Sequence, residues 1–291
     1  MEQVLRATPS ATKAGDWGLV LAAASINYRI DEHEGAFVIL VDDADSAAAF
    51  EALTDFDAEA APEPAPAAPD VGRSALGLLA SLAFAGFFLL TGARATGSRW
   101  FDAGAASAEA ILHGQAWRAV TALTLHADLL HLAGNVVASL VFITAVGRWL
   151  GAGLGALAIL GCAAAANLLT AAVHRMDYVS VGASTATFAA LGLVAGLQVA
   201  RRLRHVGQRK NAWVPLGAGL GLFAMLGVGA GTDVFAHLFG LLVGALVGFG
   251  AALTQLSRGL RTPGRLAQVA LGATAAAVVG LCWTLALRTP L

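Results

Sequence analysis

Residues 236–256 read AHLFGLLVGALVGFGAALTQL, a run without a single Asp, Glu, Lys or Arg. A run of about 20 apolar residues is the length that crosses the hydrocarbon core of a bilayer as an α-helix. Glycine recurs at Gly240, Gly244 and Gly248, which places a stripe of minimal side chains along one helix face and permits close packing against another helix. His237 stands near the start of the run, where a polar group is costly and indicates function. This stretch therefore predicts a membrane-spanning helix with a functional residue.

The composition favours a membrane protein for most of the chain. Of the 291 residues, 57% are hydrophobic and 13% are charged, whereas soluble domains carry about 25% charged residues. The mean hydropathy is +0.71. These values exclude a single soluble enzyme of this size, and they also exclude a collagen, a coiled coil and a disordered chain.

The charges are distributed unevenly. Residues 1–70 hold 14 of the 19 acidic residues and 3 of the 18 basic ones. We expect a small acidic cytosolic α+β domain over residues 1–60, a Pro/Ala linker over residues 61–70 and a membrane domain over residues 71–291. The patterns of the first domain predict strands at 4–6, 27–30 and 36–41 and helices at 13–25 and 43–53. The apolar contacts expected on its first helix are Trp17, Leu19, Val20 and Leu21.

Seven apolar runs follow, each close to the length of a membrane span. They lie at about 73–92, 131–149, 151–173, 184–200, 212–230, 236–256 and 266–287. The loops after the fourth and sixth runs are rich in arginine, so both are predicted to be cytoplasmic. The chain is thus expected to be an all-α polytopic membrane protein with a cytoplasmic N-terminus, located in the bacterial inner (cell) membrane. The lipid bilayer is therefore an expected partner.

Alternation across the membrane gathers three polar motifs at one end of the bundle. His131 and Asn135 open the second run and share a helix face by their i, i+4 spacing. Gly182 and Ser184 open the fourth run, and His237 opens the sixth. All of these helix ends are predicted to lie at the outer face.

This set of residues suits acyl transfer. A serine hydroxyl is a weak nucleophile, so Ser184 needs a base such as a buried neutral His237. The oxyanion that forms needs fixed donors, which His131, Asn135 and the Ser184 backbone N–H can supply.

In their order along the chain, these motifs resemble the rhomboid intramembrane serine proteases. The resemblance covers roughly residues 73–256. The motifs that carry it are Trp117-Arg118, His126, His131-xxx-Asn135, Gly182-x-Ser184 and Ala236-His237-xx-Gly240-xxx-Gly244.

The resemblance implies a six-helix core followed by a seventh transmembrane helix. It also implies that Ser184 is the nucleophile and His237 the base of a dyad without an acidic third member. His131 and Asn135 are then the oxyanion-stabilising residues. The supporting residues of the site are Gly182, Thr185, Phe188 and His126, with Phe188 in the place of an aromatic side chain that stacks on the catalytic histidine. The substrates would be transmembrane segments of other proteins.

Two positions depart from the family pattern. Thr185 stands where a glycine usually follows the nucleophile, and Gly147-Arg148 stands where many relatives have a glutamate. A β-branched side chain at position 185 would fill space beside the cut, so we expect a narrower preference for small substrate residues. A side chain that points sideways into the bundle would leave the site able to work.

The sequence predicts no metal, cofactor, nucleotide or nucleic acid. His126 and His131 are five residues apart and do not share a helix face, and no phosphate-binding glycine loop follows a strand.

One rival interpretation is a pseudoprotease that binds membrane helices without cutting them, which Thr185 favours. The other rival is a transporter or channel, which predicts charges near the middle of several helices and an inverted repeat.

Overall fold

The computed structural model describes residues 2–33, 35–60, 73–204, 206–228, 232–258 and 262–289. It separates into two compact units, one up to Ala68 and one from Pro69 onward. The expected linker over residues 61–70 lies outside the described residues.

The first unit is a three-stranded antiparallel sheet with two helices. Its elements are β1 (Glu2–Thr8), α1 (Ala11–Ala23), β2 (Tyr28–His33), β3 (Ala36–Asp42) and α2 (Ser46–Ala60). The sheet has the order β1-β3-β2. The predicted order of strand, helix, strand, strand and helix is confirmed, with each element one to several residues longer or shifted.

The core of this unit forms where the two helices cover one face of β3. Ile39 and Val41 alternate on that face and are fully buried against Trp17 and Leu21 of α1. The expectation that Leu19 also packs inward is wrong, because its side chain is 70% exposed. Leu19 lies about half a helical turn from both Trp17 and Leu21, on the opposite face of α1.

Asp57 of α2 connects the elements of the first unit. Its carboxylate accepts hydrogen bonds from the Arg6 guanidinium on β1 and, at 3.1 Å, from the Trp17 indole N–H on α1. Lys13 Nζ lies 3.5 Å from the carboxylate. Burial alone raises the pKa of Asp57, but the hydrogen bond from Trp17 and the charges of Lys13 and Arg6 outweigh it and hold the pKa below its ordinary value. The folded unit therefore favours the ionised carboxylate.

We predict that acid destabilises the first unit through Asp57. A carboxyl with a lowered pKa in the folded state stabilises the fold above its ordinary pKa of about 3.9, and this contribution disappears as the pH falls through the lowered value. Hydrogen exchange of the α1 and β3 amides measures the effect in the full chain. Wild type should be better protected than Asp57→Asn at pH 6, and the two should converge toward about pH 2. Equal protection at pH 6 would contradict the prediction.

The second unit is helical apart from a two-residue strand pair. Its elements are α3 (Leu76–Thr91), α4 (Arg99–Gly104), β4 (Ala106–Ser107), α5 (Ala108–Leu112), α6 (Arg118–Thr121), α7 (Leu129–Leu150), α8 (Ala152–Val173), β5 (Val179–Ser180), α9 (Ser184–Arg204), α10 (Val214–Leu226), α11 (Val234–Arg258) and α12 (Arg265–Arg288). Among the described residues, five segments are long and apolar enough to cross a membrane: Leu76–Thr96, which consists of α3 and the turn after it, and the helices α7, α8, α11 and α12. The protein is therefore a multi-pass membrane protein.

The other two predicted spans, α9 and α10, form helices of a different character. α9 has 21 residues, but it is less apolar because it carries hydroxyl side chains at its start and three arginines in its last turn. Most of α9 is buried within the unit, so its neighbours are mainly protein. α10 has 13 residues, a length of about 20 Å, which is shorter than the roughly 30 Å hydrocarbon core.

The arginine-rich end of α9 lies at the same end of the unit as the turn between α7 and α8. The Arg201 guanidinium carbon stands 4.9 Å from the centre of the Trp149 ring. Since α7 ends at Leu150, the starts of α7 and α9 lie together at the opposite end. The start of α11 joins them there, because His237 contacts Ser184.

Candidate active site

Four of the predicted polar side chains line one cavity of about 830 Å³ at the shared end of three helices. Ser184 is the first residue of α9, and His237 lies in the first turn of α11. His131 and Asn135 lie in the first two turns of α7. Residues that are more than 100 positions apart in the sequence therefore face the same space.

Ser184 and His237 are in direct contact. His237 Nε2 lies 2.7 Å from Ser184 Oγ, and His237 Nδ1 lies 3.1 Å from the carbonyl oxygen of Gly227. A carbonyl oxygen can only accept, so Nδ1 carries the ring proton and Nε2 is the acceptor for the Ser184 hydroxyl. The pair thus has the tautomer that a general base needs.

The imidazole of His237 is held by an aromatic ring stacked on its face as well as by hydrogen bonds at its edge. The Phe188 ring stacks on it with the ring centres 4.6 Å apart and the planes inclined by 28°. Phe188 lies one turn after Ser184, so the same helix supplies both the hydroxyl that contacts His237 and the ring that stacks on it. Only 4% of His237 is exposed, which limits its motion away from Ser184.

The glycine stripe of α11 explains how the two helices approach so closely. A Cβ atom added at Gly244 would lie 2.2 Å from the Ala189 carbonyl oxygen, and one at Gly248 would lie 2.2 Å from the Leu193 carbonyl oxygen. The opposing helix α9 also approaches at a glycine, since a Cβ at Gly192 would lie 2.2 Å from a carbonyl oxygen of α11. Larger residues would push α9 and α11 apart and separate Ser184 from His237.

Gly182 shapes the turn that leads into Ser184. Its φ angle is +136°, a conformation that residues with a Cβ rarely adopt. A Cβ there would also lie 2.6 Å from the ring of His131. The Gly182 N–H donates to the Ala122 carbonyl oxygen at 2.9 Å. Glycine is therefore required both by the backbone and by the adjacent imidazole.

His131 and Asn135 are oriented by the backbone at the start of α7. The Ala127 N–H donates to His131 Nδ1 at 3.3 Å, so the proton of a neutral ring is on Nε2. Asn135 Nδ2 donates to the His131 carbonyl oxygen at 3.0 Å. The Asp128 side chain caps this helix by accepting from the His131 N–H at 2.8 Å. Since both side chains line the cavity, they can present N–H donors to it.

Comparison with known proteins assigns the family. The Rhomboid domain model matches residues 113–253, a range that contains Ser184, His237, His131 and Asn135. The Bacillus subtilis (strain 168) protein named "Putative rhomboid protease YdcA" is 32% identical over 139 residues, which are 48% of this chain and 69% of that protein. The chain belongs to the rhomboid family.

In this rhomboid, His126 lies behind the cavity and does not line it. It is fully buried, and its ring packs between Phe84 at 5.6 Å and His131 at 5.5 Å between ring centres. Burial, with a smaller contribution from the nearby His131, lowers the pKa of His126 to about 4. The His126 ring is therefore uncharged at neutral pH and packs against the ring of His131.

The Thr185 side chain does not enter the cavity. It is 4% exposed and is absent from the described residues that line the cavity, whereas Thr187 is among them. The first turn of α9 thus directs position 185 into the bundle, which is the orientation expected to leave the site able to work, while the narrower preference for small substrate residues stays a prediction. The Thr185 carbonyl oxygen instead faces Gly240, where a Cβ would lie 2.7 Å away.

The second departure from the family pattern also serves packing. A Cβ at Gly147 would lie 2.2 Å from Ser74 Oγ and 3.0 Å from Leu76 Cβ. The absence of a side chain at position 147 thus lets the start of α3 pack closely against α7.

The sequence reasoning missed three contributors to the site. The carbonyl of Gly227 cannot be identified from residue type, because any residue has one. Thr187 follows Ser184 by three residues, and nothing in its residue type or spacing indicated that it would line the cavity. Asp233 did carry a signal: it stands just before α11, and its Oδ1 accepts from the Ala236 N–H at 2.9 Å as a helix cap.

The described residues contain no group of three or more His, Cys, Asp and Glu that could hold a metal.

Proposed function

We propose that this rhomboid-family protein is an intramembrane serine endopeptidase that cleaves transmembrane segments of other membrane proteins. The observation that carries the proposal is the 2.7 Å contact between His237 Nε2 and Ser184 Oγ inside the cavity. The name of the matched Bacillus subtilis relative, which describes a protease, supports a peptidase.

The proposed reaction begins with attack of Ser184 Oγ on the substrate carbonyl carbon while His237 Nε2 takes the hydroxyl proton. The protonated imidazole then gives this proton to the leaving amine, and an acyl-enzyme remains on Ser184. A water molecule, deprotonated by the same nitrogen, hydrolyses the ester and regenerates the hydroxyl. The Gly227 carbonyl oxygen accepts a hydrogen bond from His237 Nδ1 and so keeps the imidazole ring in one orientation throughout the reaction.

The oxyanion of each tetrahedral intermediate would be stabilised by the His131 Nε2–H, the Asn135 amide and the Ser184 backbone N–H. Ser184 is the first residue of α9, so its N–H has no partner within the helix. The helix start also contributes a positive dipole end near the developing charge.

We predict that loss of the two side-chain donors is severe but incomplete. Removal of one oxyanion donor typically costs about 10²–10³ in kcat, and the Ser184 N–H remains in the double variant His131→Ala/Asn135→Ala. We expect kcat to fall by at least about 10²-fold, with KM changed far less. Wild-type kcat in that double variant would refute the oxyanion assignment.

We further propose the topology of a six-helix core, made by α3 and α7 to α11, with α12 as a seventh helix. The N-terminus is cytoplasmic, the site lies near the outer face and the membrane is the bacterial inner (cell) membrane. The arginine cluster of residues 201–209 supports this orientation through the positive-inside rule. In this arrangement residues 1–60 form a cytosolic domain, residues 61–70 a linker and residues 71–291 the membrane domain.

Cleavage in proteoliposomes tests the proposed function. The purified protein is co-reconstituted with a fluorescent transmembrane substrate, and products are followed on gels and by mass spectrometry. We expect products from wild type and none from an otherwise identical Ser184→Ala preparation. Stable substrate binding without cleavage by wild type would instead identify a pseudoprotease.

A further inference from the structure

Trp283 of α12 lies outside the residues that match the rhomboid family, yet it reaches the segment that carries His131. Its side chain is buried, with 5% exposure. The indole Nε1–H donates to Thr124 Oγ1 at 3.1 Å. The Thr124 hydroxyl in turn donates to the Thr121 carbonyl oxygen at 2.8 Å. The indole is thus bonded into the turn that directly precedes His126.

The same indole belongs to a hydrophobic cluster that contacts the two segments of chain that lead into the site. Leu125, which is fully buried in this cluster, stands one residue before His126. Val181 packs against the cluster, lines the cavity and stands one residue before Gly182. The cluster that contains Trp283 therefore contacts both the segment that leads to the oxyanion residues and the loop that leads to Ser184.

The remaining neighbours of Trp283 fix its ring. Trp100 meets it edge-on with the ring centres 5.1 Å apart, and Phe87 stacks on it at 5.9 Å. A Cβ at Gly104 would lie 2.4 Å from the indole, so the backbone of α4 packs directly on the ring. The indole has little freedom to move while these contacts persist.

The other end of α12 is held by hydrogen bonds from one side chain to backbone groups of the neighbouring helices. Gln268 Oε1 accepts from the Gly153 and Leu154 N–H groups at 2.8 and 2.9 Å. Its Nε2 donates to the Leu150 carbonyl oxygen at 2.9 Å. Gln268 thereby caps the turn between α7 and α8, about 22 Å along the helix from Trp283. The two ends of α12 can therefore be perturbed separately.

We infer that Trp283 is a positioning residue of the active site, through which α12 holds the segment of residues 121–131 and the loop of residues 179–184 in register. The inference rests on the proposed function. In this inference Gln268 attaches α12 to the turn between α7 and α8, and Trp283 aligns the residues of the active site. Displacements of about 1 Å are enough to cost a large factor in rate when reacting groups must be aligned.

Kinetics of four variants in proteoliposomes test this inference. Trp283→Ala is expected to lower kcat by about 10- to 100-fold with KM within about threefold of wild type. Trp283→Phe keeps an aromatic ring and removes only the N–H donor, so a smaller loss in kcat is expected. Thr124→Val should match Trp283→Phe, and Gln268→Ala should keep kcat near wild type while lowering the thermal stability. Unchanged kcat in Trp283→Ala, or an equal loss in Gln268→Ala, would overturn the inference.

Hydrogen exchange of the same proteins gives a readout that does not depend on proteolysis. Trp283→Ala and Trp283→Phe should exchange faster than wild type in peptides from residues 121–131 and 179–184. Gln268→Ala should exchange faster around residues 150–154 instead. If wild type cleaves nothing but this pattern is found, the proposed function fails and the positioning by Trp283 stands. If both positions give the same pattern, the positioning role fails whatever the activity.

Discussion

Replacement of Ser184 or His237 by alanine is expected to lower the cleavage rate of a transmembrane substrate by at least about 10⁴-fold. Ser184→Ala removes the proposed nucleophile, and His237→Ala removes the nitrogen that lies 2.7 Å from the Ser184 hydroxyl oxygen and is proposed to take its proton. Because the two residues act as one unit, the double variant should be no slower than either single variant.

A matched control for this comparison is Ser180→Ala. Ser180 lines the same cavity and makes no contact with His237 among the described hydrogen bonds. Its replacement should leave the rate within about threefold of wild type. A rate above one tenth of wild type in Ser184→Ala or His237→Ala would contradict the dyad, and a collapse of the rate in Ser180→Ala would point to a different nucleophile.

The second large effect is expected from a single methyl group on the glycine stripe. In Gly244→Ala the new Cβ would lie 2.2 Å from the Ala189 carbonyl oxygen and 3.0 Å from the Leu193 backbone nitrogen. Both neighbours are backbone atoms, so α9 and α11 must move apart. Overpacking of this kind typically costs about 1–3 kcal/mol, and displacement of Ser184 from His237 should reduce kcat by at least about 10²-fold.

Gly250→Ala is the matched control on the same helix. A Cβ at Gly250 meets nothing within 4 Å, and alanine is a better helix former than glycine. This variant should therefore keep the melting temperature and the rate of wild type, or exceed them slightly. Equal behaviour of the two alanine variants would show that close packing of α9 and α11 does not align the dyad.

Much of the fold could be predicted from chemistry that is local in the sequence. Apolar runs of membrane length and the Gly240-xxx-Gly244 spacing are enough to indicate packed transmembrane helices. The polar residues at helix starts, such as Ser184 and His237, could be grouped because alternation across a membrane brings every second helix start to the same end. The contact between Ser184 and His237 follows from that logic together with the glycine stripe.

What could not be predicted depends on backbone groups and on distant partners. The Gly227 carbonyl that orients His237 has no signature in residue type. The contact between Trp283 and Thr124 joins residues 159 positions apart, and neither has a spacing that reveals it. The direction of the Thr185 side chain depends on how the first turn of α9 is rotated against α11. Hydropathy also does not give the 13-residue length of α10, because the apolar run continues beyond the end of the helix.

The most direct test of the central claim is covalent labelling with a fluorophosphonate probe, followed by mass-spectrometric mapping of the modified residue. Such a probe reacts with a serine whose hydroxyl is activated by a base, so it requires no knowledge of the substrate. The account predicts that wild type in detergent micelles is labelled on Ser184, that Ser184→Ala is unlabelled and that labelling of His237→Ala is reduced to background. Labelling of a different serine, or equal labelling of wild type and Ser184→Ala, would contradict it.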